Sequence, residues 1–323
     1  MGLEPPKGAE ALANGRILDG RKVVVLGAAG FIGSAILPAL KQAGAYVTGV
    51  DVIPMPDGSI ADEWVVADIM NQSAPSQLFA EAHTVIHLAW NSDPGRGNAD
   101  LGADFASNVA PSARLFQQAA SLGVRRILYA SSGGTVYGRA PTPTPETAPL
   151  NPIGGYGAGK AAGELYLSAT GGAYGVETCT LRISNPFGPG QRPNRGQGFI
   201  ATAIARTIER VPIELFGSDQ IARDYLFIDD LVDAFVLAAA HDTPSAVWNI
   251  GSGTAVTLAE ILKMIFEIVG HDTELRLLNQ RPMDCDKVQL DIAEVKRALG
   301  WRPKVSIAEG IARALSWQLQ KDW

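Results

Sequence analysis

The chain has 323 residues, 46% of them hydrophobic, and a formal net charge of -6. That length suggests about two domains around a full apolar core, and the acidic balance argues against general nucleic-acid binding. Its two cysteines, Cys179 and Cys285, stand far apart without ligand-like spacing, so neither a disulfide framework nor a metal site is expected.

Residues 1–20 carry Pro5, Pro6 and little periodicity, and are read as a loose arm outside the fold. Lys22–Leu40 (KVVVLGAAGFIGSAILPAL) is the most informative stretch. Val23, Val24, Val25 and Leu26 form a short apolar, β-branched run, the mark of a strand buried on both faces. Gly27, Gly30 and Gly33 follow, and Phe31, Ile32, Ile36, Leu37 and Leu40 then recur at helical spacing. Strand, glycine turn and helix is the order of a dinucleotide site. Gly27 would allow the tight turn, Gly30 the approach of a pyrophosphate, and Gly33 close packing of helix on strand.

Tyr46–Asp51 reads as a second parallel strand ending in an acid. Asp51 lies about 20 residues past the glycines, where a carboxylate can accept hydrogen bonds from a ribose. No arginine follows closely to take an extra phosphate, so NAD is expected rather than NADP. Trp64–Asp68 reads as a third strand, with Asp68 and Ile69 placed to border an adenine. Val85–Ala89 reads as a fourth, in which His87 is a packed core histidine. A polar loop, 90–100, precedes a helix expected over Asn108–Leu122, and Arg126–Ser131 is the fifth strand. Cys179, in the run TCTLRI, is expected to be a small core residue.

Ser131–Gly138 (SSGGTVYG) ends that strand, followed by a proline-rich loop over 139–152. A helix then begins near Tyr156. Its Gly157, Gly159 and Gly163 each cost about 1 kcal/mol relative to alanine, which points to close packing against a neighbour or a cofactor. Tyr156 and Lys160 are four apart and share a face. An ammonium beside a phenol lowers the phenol pKa and makes a general base for a hydroxyl whose carbon loses a hydride.

In GAAGFIG, Asp51, SSGGTVYG, YGAGK, LRISNPFGPGQ (Leu181–Gln191), RDYLFIDDLVDA (Arg223–Ala234), WNIGSG (Trp248–Gly253), RPMD (Arg281–Asp284) and LGWRP (Leu299–Pro303), the chain resembles the extended short-chain dehydrogenases/reductases. The likeness runs from about Lys22 to Ala314 and is strongest to the nucleotide-sugar 4-epimerases. It implies an α/β fold: a doubly wound parallel Rossmann sheet over 21–183, joined by roughly 225–252. A smaller nucleotide-sugar-binding domain would comprise 184–224 and 253–323. It further implies bound NAD bordered by Phe31, Ile32, Leu88 and Ala89 as well as the glycine turn, a UDP-linked sugar substrate, a homodimer and a cytoplasmic enzyme with no membrane or nucleic-acid partner. Asn185, Arg223 and Arg281 would hold the nucleotide diphosphate or base, an arginine fork being suited to a diphosphate. A surface ion pair between Arg223 and Asp224 is the alternative.

The chain departs from the pattern at two places. Counting back from TVYG, the usual catalytic Ser or Thr position is Gly133, so Ser132 or Thr135 must supply the hydroxyl. Nucleotide-sugar dehydratases carry an Asp-Glu pair where this chain has Gly134 and Thr135, so elimination lacks its acid and base. The resemblance also puts Val288, seven residues beyond Arg281, against the carbon-2 substituent of the sugar. The alternative there is that Val288 opens a strand, VQLD, and faces the core.

Overall fold

The computed structural model describes residues 15–71, 74–93, 100–193, 198–242, 245–281 and 284–320. Residues 1–14 of the expected arm, the middle of the 90–100 loop, and Pro282 and Met283 of RPMD lie outside the described residues.

The chain opens with β1 (Lys22–Leu26), α1 (Phe31–Gln42), β2 (Tyr46–Asp51), β3 (Glu63–Val66), the single turn α2 (Ser76–Phe79) and β4 (Thr84–His87). Next come α3 (Leu101–Asp104), a π-helical turn (Phe105–Val109), α4 (Ala110–Ser121), β5 (Arg126–Ser132), α5 (Gly155–Tyr174) and β6 (Glu177–Ile183). The remainder is β7 (Asn185–Phe187), α6 (Phe199–Ile208), β8 (Ile213–Phe216), β9 (Ala222–Phe227), α7 (Ile228–Ala240) and β10 (Ser245–Ile250). It closes with β11 (Ala255–Thr257), α8 (Leu258–Val269), β12 (Leu275–Leu278), α9 (Ala293–Leu299) and α10 (Ile307–Leu319).

Seven strands form one sheet in the order β10-β6-β5-β4-β1-β2-β3, every neighbouring pair parallel. This is a Rossmann-like doubly wound α/β fold. Central β1 shows why the apolar run is continuous. Val23 and Val25 join the core on one face, Val24 and Leu26 the core on the other, and all four are fully buried. The order reverses between β1 and β4, and that switch point opens a crevice at the carboxyl ends of the strands. Two small sheets, β11-β9-β7 and parallel β12-β8, come from the chain after β6.

Four local expectations are corrected. Residues 15–20 are not a loose arm: Leu18 is fully buried and its N–H bonds the Ala43 carbonyl at 2.9 Å, tying this turn to the end of α1. The helix expected over Asn108–Leu122 begins at Leu101, capped by the Asp100 side chain on the Ala103 N–H. It passes through a π turn just before Pro111, which has no N–H to give; the Ser107 carbonyl accepts from Asn91 Nδ2 at 3.2 Å instead. Strand β3 stops at Val66, short of the expected Asp68. The Asp68 carboxylate closes a turn on the N–H groups of Met70 and Asn71. No strand forms over 288–291; Lys287 and Leu290 make isolated bridges only.

Candidate active site

At the switch point, Gly27 adopts φ +86°, and a Cβ there would stand 2.8 Å from the Ala89 nitrogen. At Gly33 a Cβ would fall 2.2 Å from the Gly27 carbonyl oxygen, so the helix packs onto the turn only because the side chain is absent. Gly30 caps the twelve-residue α1 without a side-chain hydrogen bond, and no acid sits in the first turn. The N-terminal N–H groups of that helix suit an anion. Asp51 ends β2 beside this turn, its carboxylate accepting from the Ala29 N–H at 2.9 Å and the Val52 N–H at 2.8 Å.

A cavity of about 950 Å³ runs from this turn across the ends of β4, β5 and β6 to the small sheets. Gly27, Gly30, Phe31, Ile32, Gly33 and Leu88 line its first part; Ser132, Thr135, Tyr156 and Lys160 its middle; Asn185, Arg223, Arg281 and Val288 its far end. Asp51, Asp68, Ile69 and Ala89 are not on its wall. Ile69 is a core residue, and the Asp68 oxygens are engaged by the turn that ends β3. Ala89 contributes backbone beneath Gly27.

In the middle of the cavity the hydroxyl of Ser132 hydrogen-bonds the Tyr156 phenol. Gly133 does not face the cavity: a Cβ there would meet Leu290 Cδ1 at 2.6 Å and the Arg182 carbonyl at 3.0 Å. Ser132, last residue of β5, therefore supplies the hydroxyl that acts on the phenol. The Thr135 hydroxyl instead points to the Ser132 carbonyl, at 3.5 Å. Lys160 Nζ donates to the Ala130 carbonyl at 2.8 Å and lies 5.8 Å from the Tyr156 ring centre.

The expected lowering of the Tyr156 pKa is not what these surroundings produce. Tyr156 keeps part of its surface open to the cavity, yet protein around its hydroxyl excludes water and pushes the phenol above its ordinary value. The Ser132 bond pulls the other way, while the carboxylates of Asp93 and Asp104 add to the rise. Burial also pushes Lys160 down to about 7, against the pull of Asp104 and Glu164. The ammonium thus spends charge on a carbonyl and an aromatic floor rather than directly on the phenol.

At the far end Arg223 is not paired with Asp224. Asp224 is fully buried and its carboxylate accepts from the N–H groups of Ser252, Gly253 and Leu290 and from the Ser252 hydroxyl, pinning two loops. Arg281 forks onto Asp284 at 2.9 and 3.0 Å and lies 4.7 Å over the Phe216 ring. Asn185 donates to the Asp224 carbonyl at 3.1 Å. Val288 is 7% exposed, its backbone bonded to the Ala222 carbonyl.

The sequence from Val23 to Gly251 matches the NAD dependent epimerase/dehydratase family. The chain belongs to that family. Its NAD is the cofactor the glycine turn implied, and the turn fits a dinucleotide: an open glycine cradle meets an uncapped helix start. Among relatives in this family, the UDP-glucose 4-epimerase of Mycolicibacterium smegmatis is 34% identical, over 91% of this chain and 97% of that one. The dTDP-4-dehydro-6-deoxyglucose reductase of Escherichia coli is 31% identical, over 92% and 98%. The crystal structure of the Thermotoga maritima UDP-glucose 4-epimerase with UDP-glucose superposes with a TM-score of 0.85 at 30% identity, covering 93% of this chain and 99% of that one. The family thus includes both redox-neutral and reducing enzymes.

Several residues at the site carried no signal of their own in the sequence. Trp90, Ser92 and Phe216 line the cavity from loop or edge positions that no periodicity marks. Glu164 and Arg182 form a buried pair at 2.7 Å, extended through Tyr137 to Asn249, and they fix α5 against β5 and β6. Glu164 sits one turn beyond Lys160, a spacing that marks a shared face but says nothing about its partner. His87 lies in the core, between Phe116 and Tyr129, and burial pushes its pKa down to about 3. Cys179 is also a core residue. No helix among the described residues is long and apolar enough to cross a membrane.

Proposed function

We propose that the protein is an NAD-dependent nucleotide-sugar 4-epimerase acting on a UDP-hexose or UDP-N-acetylhexosamine. One observation carries the reading. Ser132, Tyr156 and Lys160 converge between a dinucleotide cradle and a two-arginine end, with no carboxylate at the Gly134 and Thr135 positions. A dehydratase needs an acid and a base there to remove a proton and expel water. Gly134 has open space, its Cβ position 3.9 Å from Asn185 Nδ2, but no side chain to fill it.

NAD, when bound, supplies a hydride acceptor that returns the hydride after the sugar has turned. Phe31, Ile32 and the glycines would border it, and Asp51 would hold the adenosine ribose. Tyr156, as the phenolate that the Ser132 bond favours against burial, takes the proton from the hydroxyl on carbon 4 and gives it back. Ser132 holds the same oxygen by hydrogen bond and steadies the charge that develops there. Lys160 contributes positive charge beneath the phenol. Arg223, Arg281 and Asn185 hold the nucleotide diphosphate or base; the free edge of an arginine already oriented by Asp284 suits a phosphate. Residues 184–224 and 253–323 form the nucleotide-sugar-binding domain in this reading, and 21–183 with 225–252 the cofactor domain. Exposed Leu165 and Tyr166 on α5, with Leu101 and Phe105, give an apolar face for a homodimer, working in the cytoplasm.

A ketoreductase is the second reading, favoured by the Escherichia coli relative. Incubation of the pure protein with UDP-, dTDP- and GDP-sugars and no added cofactor separates the two. Interconversion of carbon-4 epimers is expected. Turnover only of a 4-keto nucleotide sugar, with NADH or NADPH oxidised one for one as the ketone is reduced, would establish the reductase instead. Tyr156→Phe should lower turnover by at least about 100-fold while NAD stays bound.

A further inference from the structure

Lys160 Nζ stands 4.0 Å from the centre of the Trp90 ring, closer than to Tyr129 at 5.1 Å or Tyr156 at 5.8 Å. The indole is held in that position from three sides. Its Nε1 donates to Ser92 Oγ at 3.1 Å, and Ser92 in turn donates to Asp104. Asn108 Nδ2 ties the same two groups, at 3.3 Å to Ser92 and 3.1 Å to Asp104. The ring meets Tyr156 edge-on, with centres 6.3 Å apart and planes at 81°. The third side is a gap in the helix: a Cβ on Gly159 would lie 3.0 Å from Trp90 Cζ2 and 3.2 Å from Asp104 Oδ2.

We propose that Trp90 is a positioning residue, whose indole face holds the Lys160 ammonium charged and in place beside Tyr156, and that Gly159 is a glycine to admit it. The inference rests on the roles given to Tyr156 and Lys160 above. Asp104 and Glu164 favour the ammonium from a distance, but its Nζ donates to the Ala130 carbonyl and both carboxylates are engaged elsewhere. Asp104, at the end of α3, is shared between Ser92 and Asn108, and Glu164, on α5, is forked onto Arg182. His87 on β4 is kept neutral by burial, and Tyr129 on β5 is kept protonated for the same reason. Burial works against the ammonium, and a cation over an indole face with little water between them is a strong counterweight.

The test follows the protonation of Lys160 directly. Wild type, Trp90→Phe and Trp90→Leu are labelled with trace acetic anhydride across pH, and acetylation of the Lys160 peptide is read by mass spectrometry. Trp90→Leu should lower the labelling midpoint by about half a unit to one unit, and Trp90→Phe by less than half as much. In turnover, Trp90→Leu should reduce kcat more than it raises KM, and its alkaline fall should begin at correspondingly lower pH. Should Trp90→Leu not fold, Gly159→Ala, which crowds the ring edge, carries the same expectation. An unmoved midpoint in the variant that folds, or an equal shift with Phe and Leu, would overturn the proposal. Labelling needs no turnover. A wild type that converts no sugar yet shows these shifts would sink the epimerase reading alone.

Discussion

Ser132 donates the hydrogen-bonding hydroxyl that reaches the Tyr156 phenol, while its neighbour Gly133 faces Leu290 and the Arg182 carbonyl. Ser132→Ala and Thr135→Ala should therefore be unequal. Loss of the donor at the reacting oxygen should cost about 10²-fold or more in kcat, and loss of the Thr135 hydroxyl only a few-fold. Steady-state rates on the best sugar decide it. Equal losses would mean that Thr135 reorients onto the substrate.

Lys160 is 3% exposed and its pKa is pushed down to about 7. The unfolded chain holds a lysine proton up to about 10.4. Between these values the unfolded state binds more protons than the folded one, so this group makes stability rise with pH from about 7 to about 10.4. Lys160→Met should remove turnover by at least about 100-fold and yet match or exceed wild type in thermal midpoint at pH 7. That advantage should fade toward pH 10. A variant less stable than wild type at pH 7 would show that the aromatic floor and the Ala130 carbonyl more than offset the burial of charge.

Asp51 bonds the Ala29 N–H with one oxygen and the Val52 N–H with the other, which fixes a negative charge at the end of β2. A 2′-phosphate brought to that end meets like charge. Calorimetry should find NAD bound at least about 100-fold more tightly than NADP. Asp51→Ser should narrow the preference by about tenfold or more and weaken NAD as well, because the turn loses a tie. Preferential NADP binding by wild type would move the ketoreductase reading ahead.

Val288 lies on the cavity wall and not in a strand. If it faces the carbon-2 substituent, a valine leaves room for an acetamido group, and UDP-N-acetylglucosamine should be converted at least as well as UDP-glucose. Val288→Tyr should then depress the N-acetylated substrate selectively, by about 1–3 kcal/mol in kcat/KM. Equal losses on both substrates would remove Val288 from specificity.

What the sequence determined by itself was whatever local periodicity and backbone sterics record. The run Val23–Leu26 can only be a strand covered on both faces. Gly27, Gly30 and Gly33 stand between that run and a helical apolar period, so strand, turn and helix were legible before any tertiary contact, although what a Cβ at Gly27 would strike is the Ala89 backbone after β4. The face shared by Tyr156 and Lys160 follows from helix pitch alone. Helix pitch cannot report what lies across that face. Tertiary structure placed Trp90 under the ammonium, aimed Gly133 away from the cavity, and turned Asp224 inward so that Arg223 kept the wall. It also reversed the expected effect on the Tyr156 phenol. A pKa depends on how much water the whole fold removes from around a group, and that sum over distant segments is written in no stretch of the chain.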